Sequence, residues 1–418
     1  MDCIMIKVMT NSELVGYGEI RDWSSPSYGL MLKSRLIGEN PLNIDKLFRR
    51  IKQFGGVSRQ AGGVCGVELA LWDIAGKFYG IPIYQMLGGK FRDKVRVYSD
   101  TDIEGKPEGK KMGAALKKRM DLGFTFLKMD WGVETLLAMD EKGVLNAPLG
   151  YVEDLKSAHD YRDYFYTERE KFNRGYDVIN IAHSFTGLQI TEKGYDVLEQ
   201  YLKEVRSVIG PEIPLAIDHC GHIGITECIK LAKRAEKYNI AWLEDLLPWQ
   251  LTDAYKRLAA SIAVPLATGE DIYLKEGFRP LLESGALGVI HPDLLSSGGI
   301  METKKIGDMA QDYGIAMAIH MAETPIAALA AAHLAIATEN FLALEFHSVD
   351  VPWWDDLVMT ATKPIINNGF IELSNAPGLG IESLNDDVIR AHTDPHQKDI
   401  WASTDEWNND CSHDRLWS

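Results

Sequence analysis

Three short stretches decide the fold: Leu215-Ala216-Ile217-Asp218, Ala241-Trp242-Leu243-Glu244 and Ala267-Thr268-Gly269-Glu270. Each is a strand-length run that closes on a carboxylate. Asp218, Glu244 and Glu270 follow one another at an interval of 26 residues. That interval holds one strand and one helix, so each acid falls at the same height on successive parallel strands.

The same texture extends outward in both directions. Strand candidates at 95–98, 126–129, 215–217, 241–243, 265–267, 289–290, 316–319 and 342–344 alternate with helical spans at 108–122, 192–208, 226–237, 252–260, 275–284, 299–312 and 325–337. Eight strand candidates are what a closed TIM (β/α) barrel needs, although the last unit lacks a clear helix. Ahead of them lies an α+β region. Residues 4–9 and 14–19 read as a hairpin across Thr10-Asn11-Ser12, and 41–54 and 64–79 read as helices. In the second helix Val67, Leu71, Ile74 and Phe78 mark one apolar face. Gly80-Ile81-Pro82 stops it, and Met86-Leu87-Gly88-Gly89 reads as a linker into the barrel. One unit is oversized. Residues 132–190 separate the second strand from its helix, and 146–177 within them are rich in Tyr, Asp, Arg and Glu. A long loop after a strand emerges at the catalytic face of a barrel, so this segment is expected to act as a lid.

The 418 residues exceed what one core usually serves, and a 46% hydrophobic share supplies a sizeable one. With 44 basic against 60 acidic residues the net charge is −16, which gives no footprint for nucleic acid or an anionic membrane. No apolar run approaches the roughly 20 residues that span a bilayer. Residues 1–30 lack the basic-then-apolar pattern of a secretory leader. The five cysteines Cys3, Cys65, Cys220, Cys228 and Cys411 are odd in number and scattered, so a reducing cytoplasm is expected rather than a disulfide framework. Gly-Gly pairs without a following Lys-Ser/Thr read as turns, and Trp353, Trp354, Trp401, Trp407 and Trp417 as packing residues.

Three converging carboxylates repel one another unless a cation lies between them. A hard divalent ion, Mg²⁺, resolves this, because it takes carboxylate oxygens and keeps waters that substrate can displace. The bland reading is three unrelated helix caps. The next two strands end differently, in Asp293 and His320. One unit apart, they can hydrogen-bond, with Asp293 fixing the tautomer of His320 as general base. Glu345 ends the eighth strand and, if protonated, could donate to a developing oxyanion. Lys128 and Asp130 share a face of the second strand, where Asp130 would keep Lys128 charged for binding a carboxylate.

These residues resemble the enolase superfamily, in its mandelate racemase/muconate lactonizing enzyme subgroup, over nearly the whole chain. The resemblance is carried by Gly66-Val67-Glu68-Leu69-Ala70-Leu71-Trp72-Asp73 before Pro82 and Gly88-Gly89, and by Asp218, Glu244 and Glu270. Pro292-Asp293-Leu294 before Gly298-Gly299, His320 and Glu345 complete it. It implies an α+β capping domain over a modified barrel: residues 1–94, then 95–370 with the insertion, then 371–418 returning to the cap. It places residue 1 inside the family's first hairpin. It implies Mg²⁺ at the three carboxylates and removal of the proton α to a substrate carboxylate, giving a metal-stabilised enediolate. Asp293 and His320 resemble the family's dyad, and Glu345 its electrophilic partner. Racemases of the subgroup carry Lys-x-Lys on the second strand, and Asp130 stands where their second Lys would. Some sugar-acid dehydratases place a His two residues past the first metal ligand, where this chain has Cys220. His222 is a further acid candidate. Dehydration of an acid sugar to a 2-keto-3-deoxy acid is therefore the leading expectation. The alternatives are a racemase, epimerase or cycloisomerase and, from another class, a non-catalytic binding or structural barrel. The expected partner is a small acid-sugar substrate, with the chain as a homo-oligomer.

Overall fold

A computed structural model describes residues 3–148, 150–151, 187–218, 223–393 and 399–410. The chain opens with the antiparallel hairpin Ile4–Met9 and Val15–Ile20, which packs on the helix Gly62–Tyr79. The approach is close enough that a Cβ on Gly18 would lie 1.9 Å from the Gly66 carbonyl oxygen, so the helix and strand need glycine where they cross. Val67, Leu71 and Ile74 are buried as the apolar face requires, but Phe78 is 56% exposed. It sits in the last turn, just before the left-handed Gly80, and packs edge-on against Tyr79. The expected linker starts on the last residue of the short helix Ile83–Met86 and leaves it through a turn, with Gly88 and Gly89 both at positive φ.

Eight parallel strands among the described residues form a closed barrel, with Phe341–Phe346 pairing back onto Val95–Asp100. In order they are Val95–Asp100, Leu127–Asp130, Leu215–Asp218, Ile240–Glu244, Leu266–Thr268, Val289–Ile290, Ala316–Ile319 and Phe341–Phe346. Helices Gly109–Asp121, Glu192–Ile209, Ile225–Ala235, Thr252–Ala259, Leu274–Ser284, Gly299–Asp312 and Pro325–Ile336 follow the first seven. The bore is filled by Tyr98, Phe126, Ala216, Trp242, Ala267, Val289, Ala318 and Ala343. Aromatic rings on the first, second and fourth strands face alanines on the third, fifth, seventh and eighth. Large thus meets small and no pore remains.

This layer sets the phase of the strands. Two residues further on, seven of them present Asp100, Lys128, Asp218, Glu244, His291, His320 and Glu345, and a period of two returns each to the inner face. On the fifth strand Gly269 takes that step at φ 148°, where a Cβ would strike the Phe278 ring, and Glu270 follows it.

The oversized unit is not one long loop. The chain forms the helix Val133–Met139, and Leu145–Asn146 then pairs antiparallel with Gln189–Ile190, bringing the ends of the insertion together. Residues 152–186, most of the expected lid, lie outside the described residues, as do His222 and Trp417. After the eighth strand, Phe370–Ile371 adds to the first barrel strand. The tail then reaches the N-terminal region. Lys7 Nζ lies 3.2 Å from Asp386 and stacks on Trp401, and Lys33 donates to the Thr404 carbonyl at 3.0 Å. Trp353 stacks on His392, and the Trp354 indole N–H donates to the Glu323 carbonyl at 2.9 Å.

Candidate active site

The inner layer at the C-terminal ends of the strands is ionisable almost all the way round. Lys128 lies at its centre, 1% exposed, with Nζ 2.8 Å from Asp218 Oδ2, 2.9 Å from Glu244 Oε1 and 2.8 Å from Glu345 Oε1. The ammonium donates a hydrogen bond to Glu244 Oε1, and Asp218 and Glu345 pair with the same charge. Burial would lower its pKa, but the three anions outweigh it and raise it well above the usual lysine value. This revises two expectations. Lys128 is held charged by carboxylates on the third, fourth and eighth strands rather than by Asp130. Its head is also directed at protein carboxylates instead of standing open for substrate. Asp130 instead acts on Asp100 and Tyr201, adding to the upward push of burial on both.

Glu345 is likewise different from the neutral donor considered from the sequence. Burial opposes its ionisation, yet Lys128, His291 and His347 hold it well below the usual carboxylate range, so it is an anion here. Its Oε2 accepts from the Tyr98 hydroxyl at 2.9 Å and lies 3.2 Å from His291 Nε2. His291 also stands 2.8 Å from Glu244 Oε1 through Nδ1 and 2.6 Å from the Tyr98 oxygen through Nε2. Burial would lower this imidazole, but Glu244 and Glu345 hold it up at about 10. The sequence reading assigned no role to His291, Tyr98, Arg21 or His347. His291 lies two residues past Val289, a signal that depends on knowing that Val289 faces the bore.

His320 Nδ1 lies 2.7 Å from Asp293 Oδ2, and a backbone bridge sets the two residues side by side. Its Nε2 lies 3.3 Å from Glu270 Oε2. Burial pulls its pKa down, while Glu270 and Asp293 bring it above the ordinary histidine value. Arg21, fully buried at the end of the N-terminal hairpin, donates to Glu270 Oε1 at 3.0 Å and to Asp271 Oδ1 at 2.8 Å. Its Nε lies 3.7 Å from Asp293. Against the cost of burial, His320 and Arg21 keep both Glu270 and Asp293 ionised.

The donor set suits a hard divalent cation. Glu244, Glu270 and His291 present ligand atoms within 4.8 Å of one another, and Asp218 shares Lys128 with Glu244. Asp245, next along the chain, is pushed well above the carboxylate range by burial and by Glu270, Glu244 and Asp218. Negative charge is in local excess there, which is what a bound cation would offset. His320, Glu345 and His347 also converge; Lys128 Nζ lies on Glu345 Oε1 there, as it does on Asp218 Oδ2 and Glu244 Oε1 at the first group.

Residues 2–88 match the mandelate racemase/muconate lactonizing enzyme N-terminal domain, and residues 111–388 match the enolase C-terminal domain-like family. A D-xylonate dehydratase of Haloferax volcanii is 34% identical over 400 residues, covering 93% of this chain and 85% of the relative. A D-galactonate dehydratase of Pectobacterium atrosepticum is 26% identical, covering 97% of this chain and 96% of the relative. Among solved structures, a mandelate racemase/muconate lactonizing enzyme-like protein from Rubrobacter xylanophilus superposes with a TM-score of 0.76 at 28% identity. That match covers 94% of this chain and 96% of that one. Strand order, capping region and relatives agree, and the chain belongs to the mandelate racemase/muconate lactonizing enzyme family of the enolase superfamily.

Proposed function

We propose that this chain dehydrates a small acid sugar to its 2-keto-3-deoxy acid, with Mg²⁺ held by Asp218, Glu244 and Glu270. The observation that carries the reading is the His320–Asp293 pair, hydrogen-bonded at 2.7 Å, with its second nitrogen beside Glu270. A base thus stands next to a group that would hold the cation. Bound Mg²⁺ would offset the charge that builds on the substrate carboxylate as the α-carbon loses its proton. Asp293 engages Nδ1 and directs the basic lone pair to Nε2. With Glu270 neutralised, that nitrogen is free to take the α-proton. Arg21 fixes Glu270 and Asp293 relative to each other from the capping side.

Lys128 is a poor base, since its proton is stabilised by three anions. The second strand therefore supplies no opposing base for racemisation, whereas loss of a β-hydroxyl needs one base and one acid. The dehydratase names of the two relatives support the substrate class. The same reading divides the chain at 1–94, 95–370 and 371–418. It places the enzyme in the cytoplasm, where the free Cys3, Cys65 and Cys228 stay reduced, and makes it a homo-oligomer through exposed apolar groups such as Phe78, Tyr79 and Phe91.

Purified protein incubated with D-xylonate, D-galactonate and a panel of acid sugars should release a 2-keto-3-deoxy product with Mg²⁺. Turnover should cease on chelation and return on re-addition of the ion. Turnover unaffected by chelation would reject the metal assignment, and α-proton exchange without dehydration across the panel would favour an isomerase.

A further inference from the structure

Dehydration needs an acid as well as a base, because hydroxide is a poor leaving group. We propose that His347 is the general acid that protonates the departing β-hydroxyl. The inference builds on the dehydratase reading above. His347 lies two residues past Glu345, so it returns to the inner face one step nearer the mouth than the buried layer. Its side chain is 33% exposed, against 0% for His291 and 7% for His320. Its ring centroid is 5.7 Å from that of His320, so two imidazoles on adjacent strands face the same space. That spacing suits neighbouring carbons of one small substrate, with the base at the α-carbon and the acid at the β-oxygen.

His347 is also tethered. Nδ1 lies 3.4 Å from Asp100 Oδ2 and Nε2 lies 3.2 Å from Glu345 Oε1. This partly repeats the arrangement at His320, where Asp293 sits on Nδ1. Burial would lower the pKa of this imidazole, but Asp100 and Glu345 hold it up at about 9, so it carries the proton an acid must give. In the step, His320 Nε2 takes the proton from C2 and the freed electron pair forms the C2–C3 double bond. The C3–O bond breaks as His347 passes its proton to the leaving oxygen. The products are water and an enol, which moves its hydroxyl proton to C3 as it becomes the 2-keto-3-deoxy acid. One proton is gained by His320 and one is lost by His347, so no outside reagent enters.

The test uses the full-length Mg²⁺-loaded enzyme, D-xylonate and 3-deoxy-3-fluoro-D-xylonate, or the D-galactonate pair if that is the better substrate. Fluoride leaves without protonation, so its loss does not need the acid. In His347→Gln, water elimination should fall about 10²–10⁴-fold, as is typical for general acid catalysis. Fluoride release and α-proton exchange in D₂O should stay within a few-fold of wild type. Asp100→Asn should show the same pattern with a smaller loss. Near wild-type water elimination in His347→Gln would overturn the assignment, leaving His320 itself or His222 as the acid. Equal loss of all three readouts would overturn it too, making His347 a group that holds substrate or fold. If the wild-type enzyme neither exchanges the α-proton nor forms product from any acid sugar, the dehydratase reading fails first and this one with it.

Discussion

Lys128 shows how much a single buried charge governs here. Its ammonium is shared by Asp218, Glu244 and Glu345. Lys128→Met would leave three carboxylates facing each other, and removing one member of a buried ion cluster costs about 3–5 kcal/mol. We expect urea unfolding to show that loss without Mg²⁺ and a partial recovery with it; equal stability of the two proteins would show that the cluster does not depend on the ammonium. At His320 the expected effect is on turnover rather than folding. His320→Asn should lower kcat by about 10²–10⁴-fold or more and abolish solvent-deuterium incorporation, and Asp293→Asn should lower it less. Persisting exchange in His320→Asn would place the base elsewhere. Both residues were legible in the sequence because strand ends reveal themselves as apolar runs that stop at a polar residue. His291 and His347 obey the same alternation, but their phase became fixed only once Tyr98, Phe126 and Trp242 were seen to fill the bore opposite alanines. Arg21 gave no such signal, since its partners lie about 250 residues away in the chain.

At the scale of an element, the helix Pro325–Ile336 is buried along its whole length, and His333 is its one strongly polar side chain. Nδ1 of His333 accepts the Tyr84 backbone N–H at 3.2 Å, so it satisfies the turn that leads from the capping region into the barrel. Burial pushes its pKa down to about 4. An unfolded histidine titrates near 6.5, so between pH 6.5 and 4 the unfolded chain binds a proton that the folded one refuses. Stability therefore falls as pH falls through this window and is intact above it. Between pH 7 and pH 5 the loss attributable to this group is about 2 kcal/mol. His333→Gln keeps a hydrogen-bond acceptor but does not titrate, and it should lose correspondingly less over the same interval in urea unfolding. Parallel pH profiles for the two proteins would remove His333 from the acid response. The helix itself was plain from its apolar run. That the run was apolar on every side, and so buried on every side, follows from its place between the barrel and the cap, which periodicity does not report. The insertion shows the converse. Its length was evident, whereas the helix Val133–Met139 and the strand pair at its neck depend on contacts with the helix Glu192–Ile209 and on the pairing of Leu145 with Ile190, far along the chain.

For the whole molecule, the decisive feature is that the site is shared between the capping region and the barrel. Arg21 belongs to the hairpin end, yet its guanidinium lies among Glu270, Asp271, Asp293 and Ser296 of the barrel. Glu19, from the same strand, accepts from the Thr324 and Ala327 backbone N–H groups at the start of the helix Pro325–Ile336. Glu68, from the capping helix, accepts from Ile300 and Met301 at the start of Gly299–Asp312. Two barrel helices thus have their N-terminal donors satisfied by carboxylates from the cap, where the helix dipole also favours an anion. These contacts tie folding of the two regions together, so the wild-type chain should unfold in one transition reported alike by tryptophan fluorescence and far-ultraviolet circular dichroism. Arg21→Ala removes the cation that four acidic groups share and should cost about 3–5 kcal/mol. The loss falls on the junction, so the two probes should separate, with one region melting before the other, and Mg²⁺ affinity should drop because Glu270 loses its anchor. Arg21→Lys keeps the charge but not the fork that reaches several acceptors at once, so it should retain a single transition while weakening Mg²⁺ binding less. Coincident transitions in Arg21→Ala, with unchanged Mg²⁺ affinity by calorimetric titration, would mean that the junction is held by the helix-capping carboxylates and apolar packing alone.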